Sequence, residues 1–317
     1  MGSAASTPTT PSAKVSAIFV YPIKSCRGIS VSHAPLAPYG FRWDRQWMVV
    51  NPQGRAYTQR IEPKLALVEV ELPPEAYLEN WEPTQDSYMV VKAPGMQPLK
   101  ICLRKQQNEV ADGISLWEWS GSAWDEGAEA SQWFSDFLRK PCRLVRFNTA
   151  SEARPVDPDY AKGKQETLFT DGYQFLLASQ ESLDALNEVL KEPIPINRFR
   201  PNILVEGCYP FSEDLWTEIK ISRFSFFGVK LCWRCKMPTI DQETAIVGSE
   251  PKEILTKTRS GKLIRPDDSR NKNRVYFGQN LVWNHKELSA KGSGKIIEVG
   301  DPVYVIQKVS SSAEAAA

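Results

Sequence analysis

The sequence predicts a β-rich α+β fold, with barrel-like sheets and a few peripheral helices, and three observations support this prediction. Short strand-like runs recur at close intervals along most of the chain, as they do in barrels and sandwiches. Turns rich in proline, glycine and asparagine separate these runs, for example at residues 51–54. Helical periodicity is confined to a few segments. With 317 residues, 42% of them hydrophobic, the chain has the length of one large domain or two.

Strands account for most of the predicted elements in the N-terminal half. The first runs from Val15 until Pro22 stops it, because proline has no amide hydrogen for strand pairing. One helix is predicted over residues 128–138, where apolar side chains fall on one face. We interpret the tryptophans of the strand and turn at 116–124 as core and edge packing, not as a binding cage. The other strands are predicted at residues 31–36, 40–50, 57–60, 65–72, 88–92, 99–103 and 142–147.

The C-terminal half begins with a polar stretch, residues 148–167, which its prolines mark as a long loop or an interdomain connection. A helix is predicted to begin after Ser179, whose hydroxyl suits an N-cap, and to continue through Leu190. Residues 251–258 look helical, and the basic residues 259–274 are predicted to form a mobile loop. Strands are predicted at residues 174–178, 203–205, 217–221, 224–231, 276–283 and 295–306.

Both chain ends are low in complexity, and composition excludes several classes of function. Residues 1–13 and 310–317 are small and polar, so we predict a disordered lead-in and a disordered tail. The net charge of +1 gives no basic footprint for nucleic acid. No apolar run approaches the roughly 18–20 residues that a transmembrane helix needs. Six irregularly spaced cysteines do not suit a disulfide scaffold, so a reducing compartment is expected.

The small number of histidines excludes further classes. His33 and His285 are the only two in the chain, and neither has another ligand-type residue at a metal-binding spacing. Zinc hydrolases and non-haem iron sites usually draw on two or more imidazoles, so both are excluded. No G-x-S-x-G context accompanies either histidine. We interpret both as structural or surface residues.

The segment from residue 231 to residue 241 is the strongest candidate for chemistry. It contains Cys232 and Cys235, and Arg234 and Lys236 flank the second cysteine. A neighbouring cation favours the thiolate, which is a soft ligand for a transition metal. The two cysteines suit small core positions at a strand end equally well. A C-x-x-C pair is also only half of a zinc site.

Three other segments carry cations that suit an anion, although each is also compatible with an ordinary turn. Lys24 and Ser25 lie in a cationic turn with Arg27, where backbone amides can form an anion nest. Arg45 stands between tryptophans, and residues 200–202 precede a buried strand. Together with one thiolate and almost no histidine, these segments favour a metal held by an anionic, phosphate-bearing organic cofactor.

The sequence resembles the MOSC-domain molybdoenzymes, specifically the amidoxime-reducing component family, in a plant-like or other eukaryotic form without a membrane anchor. The resemblance covers nearly all of residues 15–307, in order. It rests on the motifs Y-P-I-K-S-C-R-G at 21–28, D-R-Q-W-M-V at 44–49, E-P-K-L at 62–65, N-R-F-R-P-N-I at 197–203, C-W-R-C-x-x-P-T-I-D at 232–241, F-G-Q-N at 277–280 and V-G-D-P-V-Y at 299–304. It implies a MOSC-associated β-rich domain at 14–147, whose first strands pack with a MOSC β-barrel domain at 148–309.

The resemblance also implies a site. Cys235 corresponds to the cysteine that coordinates molybdenum of the molybdopterin cofactor and is the implied catalytic residue, whereas Cys232 is a structural neighbour. The chain departs from the pattern at Pro238-Thr239, where a known member has two threonines, and at Gly172-Tyr173, where that member has Thr-Ser. At Gly172-Tyr173 the departure leaves backbone contacts or a different pocket wall. At Pro238-Thr239 it affects the implied side-chain contacts but not the implied metal ligand. The implied cofactor-binding residues are Lys24, Ser25, Arg45, Gly172, Tyr173, Arg200, Asn202, Trp233 and Arg234.

The activity implied by the resemblance is reduction of N-hydroxylated compounds such as amidoximes, hydroxylamines and N-hydroxylated bases, with nitrite as a further candidate. NADH would supply electrons through cytochrome b5 reductase and cytochrome b5. The chain has no Rossmann glycine fingerprint of its own, which agrees with borrowed electrons. The alternative is a protein that binds or carries the molybdenum cofactor without turnover. We expect a monomer in the cytoplasm, with mitochondrial association as the alternative, and a turn-capping role for Asp241.

Overall fold

The computed structural model describes residues 8, 10–104, 109–161, 163–284 and 294–316. Its strands are β1 (Ala13–Val20), β2 (Ile29–Val31), β3 (His33–Ala37), β4 (Gly40–Phe41), β5 (Trp47–Val50), β6 (Glu69–Glu71), β7 (Tyr88–Lys92), β8 (Leu99–Cys102), β9 (Val110–Leu116), β10 (Trp119–Asp125), β11 (Arg143–Phe147), β12 (Phe175–Ser179), β13 (Ile203–Glu206), β14 (Trp216–Ile221), β15 (Phe224–Trp233), β16 (Tyr276–Trp283), β17 (Ile296–Glu298) and β18 (Pro302–Lys308). The α-helices are α1 (Ala128–Leu138), α2 (Gln180–Asn187), α3 (Lys252–Thr258) and α4 (Gly261–Ile264).

A closed barrel forms the centre of the C-terminal half. Its strands follow the order β13-β12-β16-β15-β14-β18-β1, and β1 returns to pair antiparallel with β13. Closure removes the exposed strand edges that an open sheet would leave. A β-carbon on Gly228 of β15 would lie 1.9 Å from the Trp216 carbonyl oxygen, so only glycine fits this close approach. Because β1 belongs to the barrel, the turn that follows it lies beside segments that are far away in sequence.

The N-terminal half adds three smaller sheets to the barrel. They have the orders β5-β11-β10-β9, β6-β7-β8 and β17-β3-β4. Helix α1 begins and ends where the sequence predicts, and it buries Ala130, Trp133, Phe134 and Leu138. One hydrophobic core includes buried residues of β1, β5, β7, α1 and β15. The N-terminal sheets and the barrel are therefore packed around a common core, and a site between them can draw on both.

Several other elements are placed correctly by the sequence. The helix predicted after Ser179 is α2, and the Ser182 amide donates to the Ser179 side chain as expected of an N-cap. The helix predicted at 251–258 is α3. Residues 148–167 contain no helix or named strand within the described part of the chain. Among the described residues no helix is long and apolar enough to cross a bilayer.

Two strand predictions are wrong. Residues 57–60 form a turn, and 65–72 divide into a 3-10 helix, Pro63–Leu67, and the short strand β6. Proline at the first helical position and the buried side chains of Leu65 and Ala66 favour the helical turn. The apolar run had suggested a strand, but a run of this length does not distinguish the two structures.

Two predictions of missing structure are also wrong. Residues 259–274 contain α4 and the 3-10 helix Ser269–Asn271, so they are not a structureless loop. In the tail, Ala315 is only 3% exposed, and its neighbour Ala316 accepts a hydrogen bond of 2.7 Å from the Leu231 amide of β15. Arg265 donates to the Ala315 carbonyl as well. Composition missed both segments because backbone pairing supplies their order. Residues 259–262 pair with residues 272–276 shortly after them, and the tail pairs with the distant strand β15. Most of the disordered lead-in predicted for residues 1–13 lies outside the described residues.

Candidate functional site

Five connecting segments meet beside the barrel, and contacts between distant residues hold them together. The turn after β1 reaches the loop before β12 through a 2.6 Å ion pair between Lys24 Nζ and Asp171 Oδ1. The segment before β5 reaches the loop before β13, because Arg45 Nη1 donates to Asn202 Oδ1 over 3.0 Å. The segment after β15 joins them, since Arg234 Nη2 donates to the Phe199 carbonyl over 2.7 Å. The structure thus brings together residues that the sequence separates widely.

Two arginines pack against the ring of Tyr21 at the centre of this group. The guanidinium carbons of Arg45 and Arg200 lie 4.1 and 4.3 Å from the ring centroid. The Tyr21 hydroxyl donates to the Pro201 carbonyl, which fixes the ring. Cation–π packing of this kind can hold a guanidinium without neutralising its charge. Arg45 also forms a 2.6 Å ion pair with the buried Asp44 carboxylate. Arg200 forms no ion pair among the described residues, so it is the arginine of the two that remains available to an anion.

Three of the predicted binding residues have left-handed backbone conformations. The φ angles of Ser25, Arg45 and Arg200 are 67°, 45° and 57°. Such values cost a non-glycine residue about 1–3 kcal/mol and are found mainly where the surrounding structure imposes them, often at functional sites. Nothing in the local sequence indicates this strain. It is a feature that only the tertiary structure reveals.

Positive charge exceeds negative charge in this cluster. Burial lowers the pKa of Lys24 to about 8 despite the Asp171 carboxylate, and burial lowers the pKa of Arg200 to about 10. Burial alone would raise the pKa of Asp171, but the Lys24 ammonium and nearby arginines hold it well below its usual range. The cations of the cluster are Lys24, Arg45, Arg60, Arg154, Arg200 and Arg234, and its carboxylates are Asp44, Glu118 and Asp171.

Some of these cations have buried N–H groups without an acceptor among the described residues. They include Arg200 Nη2, Arg234 Nε and Arg60 Nε. A buried donor left unpaired costs about 1–3 kcal/mol, more if it is charged. An anion with several oxygens, such as a phosphate, would accept from such donors and reduce the excess charge. The cluster therefore fits a phosphate-bearing cofactor.

The two cysteines beside the cluster have different surroundings. Cys232 Sγ accepts a 2.8 Å hydrogen bond from Arg234 Nη1. Burial raises the pKa of Cys232, and Arg234 opposes that effect. Cys235 is partly exposed, and its Sγ accepts a weak hydrogen bond of 3.4 Å from the Met237 amide. Arg234 thus donates to Cys232 and not to Cys235, and its support of a Cys235 thiolate stays a prediction.

A metal here would need ligands from outside the protein. Within the described ranges, no three His, Cys, Asp or Glu side chains group closely enough to hold an ion. A structural zinc ion requires about four such ligands, so the C-x-x-C pair does not form a zinc site from described residues. One thiolate beside an excess of cations suits a metal whose other ligands belong to an anionic organic molecule.

Asp241, Gly172 and Tyr173 lie around the cluster. Asp241 Oδ1 accepts from the amides of Glu243 and Thr244, as the turn-capping interpretation requires. Gly172 directly follows Asp171, and its amide donates to Thr170 Oγ1 over 3.3 Å. Burial raises the pKa of Tyr173, which lies near Cys232. All three can contribute to the wall of a site.

Trp233 lies outside the cluster as far as described contacts show. Its side chain is 43% exposed, and the Arg274 guanidinium carbon lies 5.0 Å from the ring centroid. Alternation along β15 directs it away from Cys232. Its assignment to the cofactor therefore stays a prediction without a supporting contact.

The sequence analysis missed a tryptophan at the edge of the site. Trp117 forms the tip of the β9–β10 hairpin and is 42% exposed. Arg60 packs against its ring at 4.2 Å, and Lys24 Nζ lies 5.7 Å from the ring centroid. Of the core and edge packing predicted for these tryptophans, Trp117 shows packing at an edge, where it also contacts two cations of the site. No local signal could have identified it, because its partners come from two distant segments.

A cavity of about 680 Å³ lies elsewhere, between β3 and the loop at residues 79–83. Arg42, Trp43 and Arg146 contribute to its wall, and none of the predicted site residues does. Arg146 is already bonded to Glu126 and to the carbonyls of Cys102 and Leu103. Volume therefore points away from the cationic cluster, and backbone strain does not separate the two places, because Trp43 in the cavity wall also has a left-handed φ of 72°. The excess of buried cations and the two cysteines point to the cluster. We place the candidate site at the cationic cluster, because buried cations and cysteines can bind an anion and a metal.

Comparison with known proteins agrees with the β-rich fold. Residues 12–141 match the MOSC N-terminal beta barrel domain, and residues 164–304 match the MOSC domain. Mitochondrial amidoxime-reducing component 1 of Mus musculus is 32% identical over 92% of this chain and 82% of its own length. Mitochondrial amidoxime reducing component 2 of Bos taurus is also 32% identical, with the same coverage. Molybdenum cofactor sulfurase of Danio rerio is 30% identical over 94% of this chain but only 34% of its own length.

Proposed function

Because this chain belongs to the MOSC-domain family that includes the amidoxime-reducing components, we propose that it is a molybdenum-cofactor-dependent reductase of N-hydroxylated compounds. The observation that carries the proposal is the excess of buried cations beside Cys235, with N–H groups that have no described acceptor. Such a cluster suits the phosphate of molybdopterin, and Cys235 suits its metal. The family resemblance supplies the reaction class.

In this proposal each group of the protein has a defined task. Arg45, Arg200 and Lys24 bind the anionic part of the cofactor, and Asn202 holds Arg45 in place through its 3.0 Å hydrogen bond. The partly exposed Cys235 thiolate binds the metal, and Arg234 keeps the sulfur of Cys232 occupied by a hydrogen bond. When bound, the cofactor supplies the two-electron redox chemistry. The net reaction joins two electrons and two protons to an N–OH group, releasing water and the N–H product.

We propose that the electrons come from another protein, since the sequence has no Rossmann glycine fingerprint. We propose NADH as the source, with cytochrome b5 reductase and cytochrome b5 as carriers, acting on a monomer of this chain. We also propose amidoximes, hydroxylamines and N-hydroxylated bases as substrates, with nitrite as a candidate. The Lys24 ammonium, whose pKa is about 8, is largely protonated at neutral pH and therefore favours binding of the anionic cofactor.

The paired cysteines provide the test. Cys235→Ala is expected to lose bound molybdenum and to reduce benzamidoxime no faster than background, with NADH and the two carrier proteins supplied. Cys232→Ala is the matched control and should keep most of the metal and at least a tenth of the rate, because its sulfur is not the proposed ligand. Metal content is measured by mass spectrometry. Full benzamidoxime reduction by Cys235→Ala would overturn the ligand assignment.

The alternative function is cofactor binding or transfer without turnover. It is favoured by the match to molybdenum cofactor sulfurase, which extends over nearly all of this chain. A carrier would bind about one cofactor per chain and yet reduce no substrate when the electron donors are present. The same assay therefore separates the two functions.

A further inference from the structure

We propose that the basic surface around Trp233 is the docking site for an acidic one-electron carrier protein that reduces the neighbouring metal site. We define this basic surface by Trp233, Lys236, Lys262, Arg270, Lys272 and Arg274. The inference rests on the proposed reductase function, because only a redox site needs an electron donor. It adds the place where the donor binds, which the function itself does not specify.

Charge and exposure distinguish this surface. Lys236, Lys262, Arg270 and Lys272 are exposed. Trp233 is exposed as well, and the guanidinium carbon of Arg274 lies 5.0 Å from its ring centroid. In the part of the chain that the structure describes, none of these four cations forms an ion pair with an acidic side chain. The chain as a whole has a net charge of only +1, so this concentration of positive charge is local. Asp267 and Asp268 lie in the same segment, and Arg265 pairs with Asp268, so the surface is mixed in sign with an excess of cations. Such an excess steers an oppositely charged partner and raises its association rate.

The surface is also rigid, in contrast with the mobile loop that its composition predicts. The Gly261 amide donates to the Arg274 carbonyl over 2.8 Å, and the Lys262 amide donates to the Lys272 carbonyl over 3.0 Å. A β-carbon on Gly261 would lie 2.2 Å from the Asn271 carbonyl oxygen, so this close pairing requires glycine. The cations are therefore held in fixed positions before a partner arrives, which lowers the entropy cost of binding.

The same pairing connects the surface to the proposed metal ligand. The Arg234 amide donates to the Val275 carbonyl over 2.7 Å, and Trp233 pairs with Tyr276 between β15 and β16. Arg274 lies over the Trp233 ring. Cys235 is two residues beyond Trp233 on the same short segment. A donor centred on Trp233 would thus sit against the backbone that carries Cys235, with an aromatic ring at the middle of a charged rim, as in many protein interfaces.

An acidic protein explains this arrangement better than an anionic membrane. Attraction to a membrane needs only cations, whereas an exposed aromatic ring next to the redox site is useful for electron transfer. The donor would deliver two electrons, one in each of two encounters, and each encounter oxidises one carrier molecule. The protons consumed with the substrate come from water or from the site. Binding and release must both be fast, which favours an electrostatic surface of modest size.

Charge reversal tests the proposal on the cofactor-loaded full chain. The variant K262E/K272E is compared with K100E/R104E, which makes the same charge change on exposed residues at the N-terminal strand β8 and just after it. The probe is the haem domain of cytochrome b5, the donor implied by the resemblance. We expect K262E/K272E to raise the donor concentration for half-maximal rate at least tenfold at low ionic strength, while K100E/R104E changes it less than threefold. With dithionite as reductant, all three proteins should reduce benzamidoxime at similar rates.

Other outcomes are equally informative. An unchanged half-saturating concentration in K262E/K272E would overturn the proposal, and so would loss of binding to anionic phospholipid vesicles without any effect on the donor. If the wild-type protein fails to reduce substrate even with dithionite, the proposed function fails instead. The surface is then tested separately by calorimetric titration of the haem domain into the wild-type protein and the two variants, where equal affinities would overturn it.

Discussion

Two clusters of buried charge in this protein are built differently. The site cluster, around Lys24, Arg45 and Arg200, contains more cations than carboxylates. The second, which we call the Glu213 cluster, consists of Glu213, Asp214 and Arg259 with two serines. Both Glu213 oxygens accept hydrogen bonds from Ser182 or Ser179. Asp214 is paired with Arg259. Buried charge alone therefore does not identify a site.

The difference lies in sign balance and in backbone strain. Burial and the adjacent Asp214 raise the pKa of Glu213 to about 7, so this cluster reduces its charge by taking up a proton. The arginines of the site cluster stay protonated at any ordinary pH, so Lys24, whose pKa is about 8, is the cation there that can release a proton. Three residues of the site cluster also have left-handed φ angles. Buried polar atoms without a partner among the described residues occur in both clusters, since Asp214 Oδ1 and Arg259 Nε also lack one. The two clusters differ in net charge: the Glu213 cluster balances its charges internally, whereas the site cluster is suited to an anion from outside.

The largest expected effect is a loss of stability when a substitution breaks the Glu213 cluster. Asp214→Ala leaves the Arg259 charge buried without a partner, so we expect a loss of about 3–5 kcal/mol in the free energy of unfolding. Urea denaturation of the cofactor-free protein measures it. The double variant D214L/R259M removes both charges and should recover most of the loss. If Asp214→Ala costs less than about 1 kcal/mol, the cluster is not the structural unit described above.

The opposite result is expected in the site cluster. Arg200→Met removes a buried cation that has no dedicated carboxylate, so the cofactor-free protein should be as stable as the wild type or more stable by about 1 kcal/mol. Cofactor affinity should fall roughly tenfold to a hundredfold, because a charged hydrogen bond is worth about 1.5–3 kcal/mol. Molybdopterin retained after dialysis measures the affinity, and exposed Arg55→Met is the control. Strong destabilisation with unchanged affinity would make Arg200 a structural residue.

The smallest effect concerns pH. Lys24 has a pKa of about 8, lowered by burial, and an anion binds best to its protonated form. Cofactor affinity should therefore fall as pH rises through this pKa, by up to about tenfold between pH 7 and pH 9. Lys24→Arg keeps its charge over this range and should show no such decline. Molybdopterin content at each pH checks it, and equal pH profiles for the two proteins would contradict the assignment.

Particular elements show which parts of the fold can be predicted from the sequence. Helix α1 is predictable because its apolar periodicity and its terminating proline are local. The segment 259–274 is not predictable in the same way, since its order comes from pairing with residues 271–276 and a glycine packed against a carbonyl. Residues 65–72 show the limit of apolar runs, which suit a 3-10 turn and a strand equally. The tail is ordered by a hydrogen bond from the Leu231 amide of β15 to the Ala316 carbonyl. No local pattern in the tail could indicate this contact.

The candidate site, like the fold, was predictable from the sequence only in part. The sequence by itself determined the residue types: one C-x-x-C segment, few histidines, and cations in motifs that mark the family. It also determined the β-rich fold, because short periodic runs and turns are local properties. Only the tertiary structure decided that Arg234 turns to Cys232, that Trp117 reaches Lys24, and that Trp233 lies on an exposed basic surface. Side-chain direction and charge balance depend on which distant segments meet, and that is fixed by closure of the barrel through β1.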